Sequence, residues 1–193
     1  KRKYKATTNS SHDKQVAENF LNQKFQSKEL NKIWVSDITY IWTKEGWLYL
    51  TVILDLFSRR IVGWSTSEKI SANFVLAAIR QALLNRTPVE DMIFHSDRGS
   101  QYASEDVKSL LRQNKITQSM SRKGNCYDNA VAESFFHTLK VELIYTKTYA
   151  TRTEAKNDIF EYIEIFYNRQ RRHSALKYFT PVDFENWNIK LAA

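Results

Sequence analysis

Between Ile33 and Ser67, three runs rich in β-branched and aromatic residues follow one another: Ile33–Thr43, residues 47–54 and Ile61–Ser67. The links between them, Lys44-Glu45-Gly46 and the turn at Ser58-Arg59-Arg60, are too short for a crossover. The three runs therefore predict an antiparallel meander, with the most apolar run, 47–54, in the sheet interior. Beyond Ser67 the period changes. Val75, Ala78, Ile79, Ala82 and Leu83 recur at helical spacing, which marks an amphipathic helix. Pro88 breaks the region after it. A short strand is expected at 92–95, a helix near 104–113 and a strand at 116–120. A helix after Asp128 carries Ala132, Phe136, Leu139 and Leu143 on one stripe. The last long helix opens with the capping box Thr151-x-x-Glu154 and buries Ala155, Ile159, Tyr162, Ile163 and Phe166. Residues 14–25 read as a short helix with Val16, Phe20 and Leu21 on one side. The order predicts an α/β protein: a mixed five-stranded sheet with helices on its faces.

Composition narrows what such a sheet can do. The chain has 193 residues, 42% of them hydrophobic and 13% aromatic, which is enough for a real core. Its four glycines, Gly46, Gly63, Gly99 and Gly124, stand 17, 36 and 25 residues apart. Neither the dinucleotide fingerprint nor the phosphate loop can be written with those gaps. One cysteine, Cys126, excludes an internal disulfide framework and a multi-cysteine zinc site, and fits a reducing compartment. The longest nearly apolar run, 47–54, is far too short to cross a bilayer. The chain begins at Lys1 rather than Met, so a piece of a longer protein is expected.

The net charge is +8, and it has a location. Residues 1–32 carry +5, residues 33–97 carry −1, and residues 98–133 and 134–193 carry +2 each. A basic leader ahead of a near-neutral core points to a polyanion, with nucleic acid first and an anionic membrane surface second.

Three acids stand where burial is costly. Asp37 lies inside the first strand among Trp34, Val35, Ile38, Tyr40 and Ile41. Asp97 ends the 92–95 strand, and Glu133 lies early in the helix after Asp128. A buried carboxylate needs a partner, a proton or a metal, and only Lys32 lies within six residues of Asp37. Lys140 follows Glu133 by seven residues, two helical turns on the same face. Carboxylates converging from a strand, a strand end and a helix make an all-oxygen site suited to Mg²⁺ or Mn²⁺. Two such ions, about 4 Å apart, clamp an in-line phosphoryl displacement. The plainer alternatives stay open: surface acids, or strand-end acids that accept from turn amides. Asp55 rivals Asp37, but the turn after it suits a turn role or a pairing with Arg59 or Arg60.

The words around these acids are specific. They are Trp34-Val35-Ser36-Asp37-Ile38-Thr39-Tyr40, Leu54-Asp55-Leu56-Phe57-Ser58-Arg59-Arg60-Ile61-Val62-Gly63-Trp64, His95-Ser96-Asp97-Arg98-Gly99-Ser100-Gln101-Tyr102, and Ser121 through Ser134 with Asp128, Asn129 and Glu133. A tail with Tyr167-Asn168, Arg172-His173-Ser174-Ala175-Leu176 and Thr180-Pro181 completes the set. Together, over 16–187, they resemble the integrase-like catalytic domain of bacterial insertion-sequence transposases of family three (OrfB-type), in the DDE superfamily with retroviral integrases. The resemblance implies a ribonuclease H-like fold and a catalytic, metal-binding triad of Asp37, Asp97 and Glu133. Two Mg²⁺ or Mn²⁺ ions are implied, with Asp37 shared between them. The implied reaction is DNA strand cleavage at the element's end, then attack of the freed 3′-hydroxyl on another phosphodiester. The implied partners are element-end and target DNA and further copies of the chain, with no membrane and a cytoplasmic, nucleoid-associated setting. The domain organisation expected is a 1–32 basic leader trailing from a missing helix-turn-helix region, a 33–187 core with C-terminal helices, and a 188–193 tail. Leu30 stands where proline is frequent in relatives, and the zinc-binding module of retroviral integrases is missing.

Further residues carry two readings each. Lys140, Arg122, Lys123, Arg171, Arg172 and His173 are candidate DNA contacts or ordinary basic surface. The last three also suit a helix C-terminus. Asn129, one turn before Glu133, could orient the site or extend a cap at Asp128. His95, on the face of Asp97, is a site neighbour or a satisfied core histidine. Cys126 is expected to be inert. Two other functions fit the same chemistry: a ribonuclease H-like nuclease that cuts without joining, and a domesticated DNA-binding protein without catalysis.

Overall fold

A computed structural model describes residues 12–123 and 126–192, without the side chains of Cys126, Tyr127 and Ala192. The first part of the basic leader, with Lys1, Arg2, Lys3 and Lys5, lies outside the described residues, as do Gly124 and the expectation about the Cys126 thiol.

The meander forms as the short links require. Strands β1 (Ile33–Thr43), β2 (Gly46–Asp55) and β3 (Ile61–Ser67) pair antiparallel in sequence. Gly46 turns the first hairpin at φ +111, where a side chain would be strained. Helix α1 (Ala72–Asn85) starts at Ser71, whose side chain accepts from Phe74 N, and packs on the sheet. A Cβ at Gly63 would stand 2.4 Å from Ala78 O, so glycine there lets α1 lie close on β3. Strand β4 (Ile93–Ser96), helix α2 (Glu105–Gln113) and strand β5 (Thr117–Met120) follow. Both strands run parallel to β1, and the sheet order is β3-β2-β1-β4-β5.

The alternation of side chains splits the core in two. Trp34 and Ile38 of β1 face α1 and α2, whereas Val35 and Ile41 face α3 (Ala130–Glu142) and α4 (Arg152–Phe160). Asp37 shares the parity of Val35 and Ile41, and so lies on the α3 side of the sheet. Thr151 and Glu154 form the capping box expected at the start of α4.

Three local expectations are corrected. Residues 14–25 are not helical. Phe20 N donates to Ser119 Oγ (2.9 Å) and Met120 N donates to Glu18 O (3.2 Å), so this segment lies along β5 and seats Leu21 in the core. Bonds to a strand a hundred residues away replace the bonds a helix would make. After Phe160 the helix continues as π-type turns over Glu161–Tyr167. The wider winding moves the apolar stripe by a residue, so Tyr167 is buried (3% exposed) and Phe166 is not (39%). Helix α4 is also not the last, because α5 (Pro181–Ala192) follows. Pro181 sits at its first position, and Thr180 Oγ1 accepts from Asp183 N.

Candidate active site

The parallel register of β1 and β4 brings the first two acids together. Ser36 pairs with Ser96, so Asp37 and Asp97 are the next residues along the two adjacent strands. The third acid arrives on α3. Asn129 N-caps α3 by position but makes no side-chain cap; its Nδ2 donates across to Ser36 O (3.1 Å) instead. The start of α3 is thereby tied to the backbone just ahead of Asp37, with Glu133 one turn further on. Asn129 thus spans helix and strand rather than extending a cap.

The acids sense one another. The Asp37 carboxyl is pushed well above its ordinary range, first by burial and then by the negative charges of Asp97 and Glu133. The amide of Ile38, 2.8 Å from Asp37 Oδ1, and the Lys140 ammonium act in the opposite direction. Burial also raises the Glu133 carboxyl. Asp97 Oδ1 accepts from Gly99 N (2.9 Å), the turn-amide bond expected of a strand-end acid, while its charge still reaches Asp37. Lys140 lies with its Nζ 5.0 Å from the centroid of the Tyr40 ring, on the flank of α3 that serves this group.

This donor set suits a hard divalent cation: three carboxylates, an excess of negative charge at Asp37, and one lysine against it. Among the described residues, no group of three or more His, Cys, Asp or Glu side chains is arranged to hold a metal ion. Asp37, Asp97 and Glu133 would have to be drawn in by the ion.

A polar network that the sequence did not single out lies beneath the acids. The buried Tyr102 hydroxyl bonds Ser36 Oγ (2.8 Å) and Thr51 Oγ1 (3.2 Å), and Thr51 Oγ1 donates to Asp37 O (3.1 Å). Burial and then the charges of Asp97 and Asp37 raise the Tyr102 phenol. The available signal was a large aromatic in the otherwise polar stretch after Asp97. Asp128 is a second such residue. It is fully buried and accepts from Arg122 N, Nε and Nη2, from Gln23 Nε2 and from Asn19 Nδ2, all at 2.8–3.1 Å.

The other expected residues are engaged by other partners or exposed. Arg122 is engaged by Asp128, and Lys123 beside it is exposed. Arg171 pairs with Glu142 (2.8 Å), and Arg171, Arg172 and His173 line a cleft on another flank of α3. His95 is a satisfied core histidine: Nδ1 meets Ser119 Oγ at 2.8 Å, and burial lowers the ring to about 4. Asp55 takes the turn role, accepting from Asn31 N and Phe57 N, while Arg60 pairs with Glu185.

With this geometry in place, the chain can be set beside known proteins. Residues 27–126 and 133–189 match two integrase core domain families. The chain is 47% identical over 193 residues to the insertion element IS600 31 kDa protein of Shigella sonnei, covering all of this chain and 71% of that protein. It is 51% identical over 170 residues to the transposase of insertion sequence IS904 from Lactococcus lactis, covering 88% and 67%. It is 44% identical over 188 residues to the transposase InsF of IS3A from Escherichia coli, covering 97% and 65%. This chain therefore spans about two thirds of the length of these relatives. In fold it is similar to the HTLV-2 integrase catalytic core domain solved with magnesium (TM-score 0.61, 18% identity, 82% of this chain and 99% of that one). A chain of the simian T-cell lymphotropic virus intasome is also similar (TM-score 0.63, 15% identity, 86% and 56%). The mixed five-stranded sheet is thus the ribonuclease H-like sheet of retroviral integrase cores.

Proposed function

Because the chain belongs to the integrase core domain family, as the catalytic core of an IS3-type transposase, we propose that it cuts DNA at insertion-sequence ends and joins the freed strand to new DNA. The observation that supports this reading is the register that sets Asp37 beside Asp97, with Glu133 near enough on α3 that both acids disfavour ionisation of Asp37. Such a group is suited to a divalent cation beyond the single Lys140 charge that reaches Asp37.

The three carboxylates would hold two Mg²⁺ or Mn²⁺ ions. When bound, these activate the attacking oxygen and take up charge on the leaving one. The rest of the work falls to the chain. The parallel register holds Asp37 and Asp97 side by side, and the Asn129 bond to Ser36 O sets the rise of α3 that presents Glu133. The network of Tyr102, Ser36 and Thr51 stiffens the strand beneath Asp37. Lys140, two turns beyond Glu133, would take a phosphate of the bound strand. Arg122, Lys123, Arg171, Arg172 and His173 would contact the backbone further out. The partners proposed are element-end DNA, target DNA and further copies of the chain on the bacterial chromosome. No helix among the described residues is long and apolar enough to cross a membrane.

The test is a joining assay with a labelled element-end duplex, with Mg²⁺ or with chelator, for the native chain and Glu133→Gln. Metal-dependent products longer than the substrate, absent in the variant although DNA binding persists, are expected. Full activity of Glu133→Gln would sink the assignment. Shortened products alone would mark a nuclease that does not join.

A further inference from the structure

The cleft beside α3 holds more positive charge than the fold requires. Its volume is about 560 Å³, and it lies between α3, the β2–β3 turn and residues 167–178. Arg59, Arg171 and Arg172 line it, and no acidic residue does so among its described lining. Arg171 is answered by Glu142 outside the cleft, but Arg59 and Arg172 have no carboxylate within 4 Å among the described residues. Arg59 is the more telling of the two. Its guanidinium donates from Nη2 to Phe25 O (2.9 Å), leaving most of its five N–H donors uncommitted. Burial is costly enough to lower its pKa. Its backbone is left-handed (φ +61) in a turn where asparagine or glycine would sit without strain. A partly desolvated cation facing an open cleft is the arrangement an incoming anion would relieve.

The remaining walls narrow the anion. Ser134 puts a hydroxyl along the α3 side, while Thr138 Oγ1 donates to Ser134 O (3.0 Å), and the Tyr178 ring stands at the rim, 70% exposed. Arg171 Nη1 faces His173 Nδ1 at 3.4 Å, which requires a neutral ring with its proton on Nε2, a buried donor without a partner. Charge, the Ser134 hydroxyl and an exposed aromatic together suit a phosphodiester with its base, rather than a carboxylate-rich peptide. Ser134 directly follows Glu133, so the cleft begins a single residue's rotation around α3 from the acids. A strand with one phosphate at the acids would present neighbouring phosphates to this flank.

We infer that this cleft, anchored by Arg59, is a second phosphodiester site that grips the DNA strand beyond the reacting phosphate. The inference rests on the DNA-processing reading and adds Arg59, Ser134 and Tyr178 to the surface that reading requires. It is tested by binding in chelator, which does not depend on chemistry at the acids. Fluorescence anisotropy of a labelled element-end duplex would be followed across a salt series for the native chain, Arg172→Gln, Arg59→Gln and Ser134→Glu. Ser134 is exposed, so its substitution adds a negative charge to the cleft without opening the core, and thermal melts check each fold. Affinity is expected to fall about tenfold for Arg59→Gln and for Ser134→Glu, with the salt slope reduced by about one for each arginine removed. Native affinity and slope in a folded Arg59→Gln, or in both Arg172→Gln and Ser134→Glu, would overturn the site. So would displacement of the duplex by a poly-glutamate peptide as efficiently as by an unlabelled oligonucleotide, which would assign the cleft to an acidic protein. If these variants weaken binding while the native chain joins nothing, the cleft stands and the catalytic reading fails. If Glu133→Gln abolishes joining while the cleft variants bind normally, the reverse holds.

Discussion

Two kinds of carboxylate divide this molecule. Asp128 and Glu185 are buried and fully answered. Asp128 takes five hydrogen bonds from Arg122, Gln23 and Asn19, and Arg122 holds it well below the usual carboxylate range. Glu185 of α5 accepts from Ser58 Oγ, Arg60 Nη1 and Arg86 Nη2, each at 2.7 Å, and so fastens the last helix to the β2–β3 turn and the end of α1. Asp37 has a single backbone amide at 2.8 Å, with Asp97 and Glu133 raising its pKa. Acids that hold the fold together receive cations from the chain. Asp37 instead stands among like charges, with Lys140 the cation that acts against them.

The largest test of this contrast is Asp37→Asn. Strand joining should fall by about a thousandfold or more, equivalent to several kcal/mol of barrier. In chelator the variant should melt at or above the native temperature, because a repulsion has been removed. The native chain alone should gain stability when Mn²⁺ is added, since binding to the folded state stabilises it. An equal Mn²⁺ shift in Asp37→Asn would break the comparison. Next in size is Glu185→Gln, which leaves Arg60 and Arg86 facing each other without a counter-charge. Denaturant unfolding should show a loss of about 3–5 kcal/mol. A loss near zero would show that α5 is not fastened by charge.

Asp55 sharpens the contrast, since it is buried with only backbone donors and burial pushes it up to about 6. An acid with a raised folded pKa costs stability above that value and nothing below its unfolded pKa of 3.8. Measured against Asp55→Asn, the native chain should therefore gain stability as pH falls from about 6 to about 4, by up to roughly 3 kcal/mol. Asp128 should behave in the opposite sense. Its folded pKa is depressed, so its contribution is present above 3.8 and lost as pH falls below it. Arg122 is more than half exposed, so solvent screening keeps the effect smaller than that of Asp55. The melting temperatures of native and Asp128→Asn chains should converge in acid. Parallel profiles would remove Asp128 from the set of answered acids.

Much of the sheet was legible because its signals are local. The runs of 33–43 and 61–67, the helical spacing from Val75 to Leu83 and the Thr151 capping box each operate within a few residues. Asp37 drew notice because an acid in an apolar strand conflicts with its own neighbours. The 14–25 segment misled because its apolar spacing is helical, while its bonding partners, Ser119 and Met120, are a hundred residues away. The π-type turns of 161–167 were hidden for a related reason: the winding is chosen by which residue, Tyr167 or Phe166, packs against Phe135 and His173. Helix α5 did announce itself through Thr180-Pro181-Val182-Asp183, a capping sequence easily read as part of a motif.

By itself, the sequence determined the order and type of most elements, since period and capping are properties of neighbouring residues. It also singled out Asp37, Asp97 and Glu133 as acids in need of an explanation. Only the tertiary structure decided which carboxylates receive cations and which stand beside other acids. Asp128 meets Gln23 across 105 positions and Glu185 meets Ser58 across 127, whereas Asp37 and Asp97 become neighbours through strand register alone. Charge and burial depend on distance in space, and no local pattern records that distance.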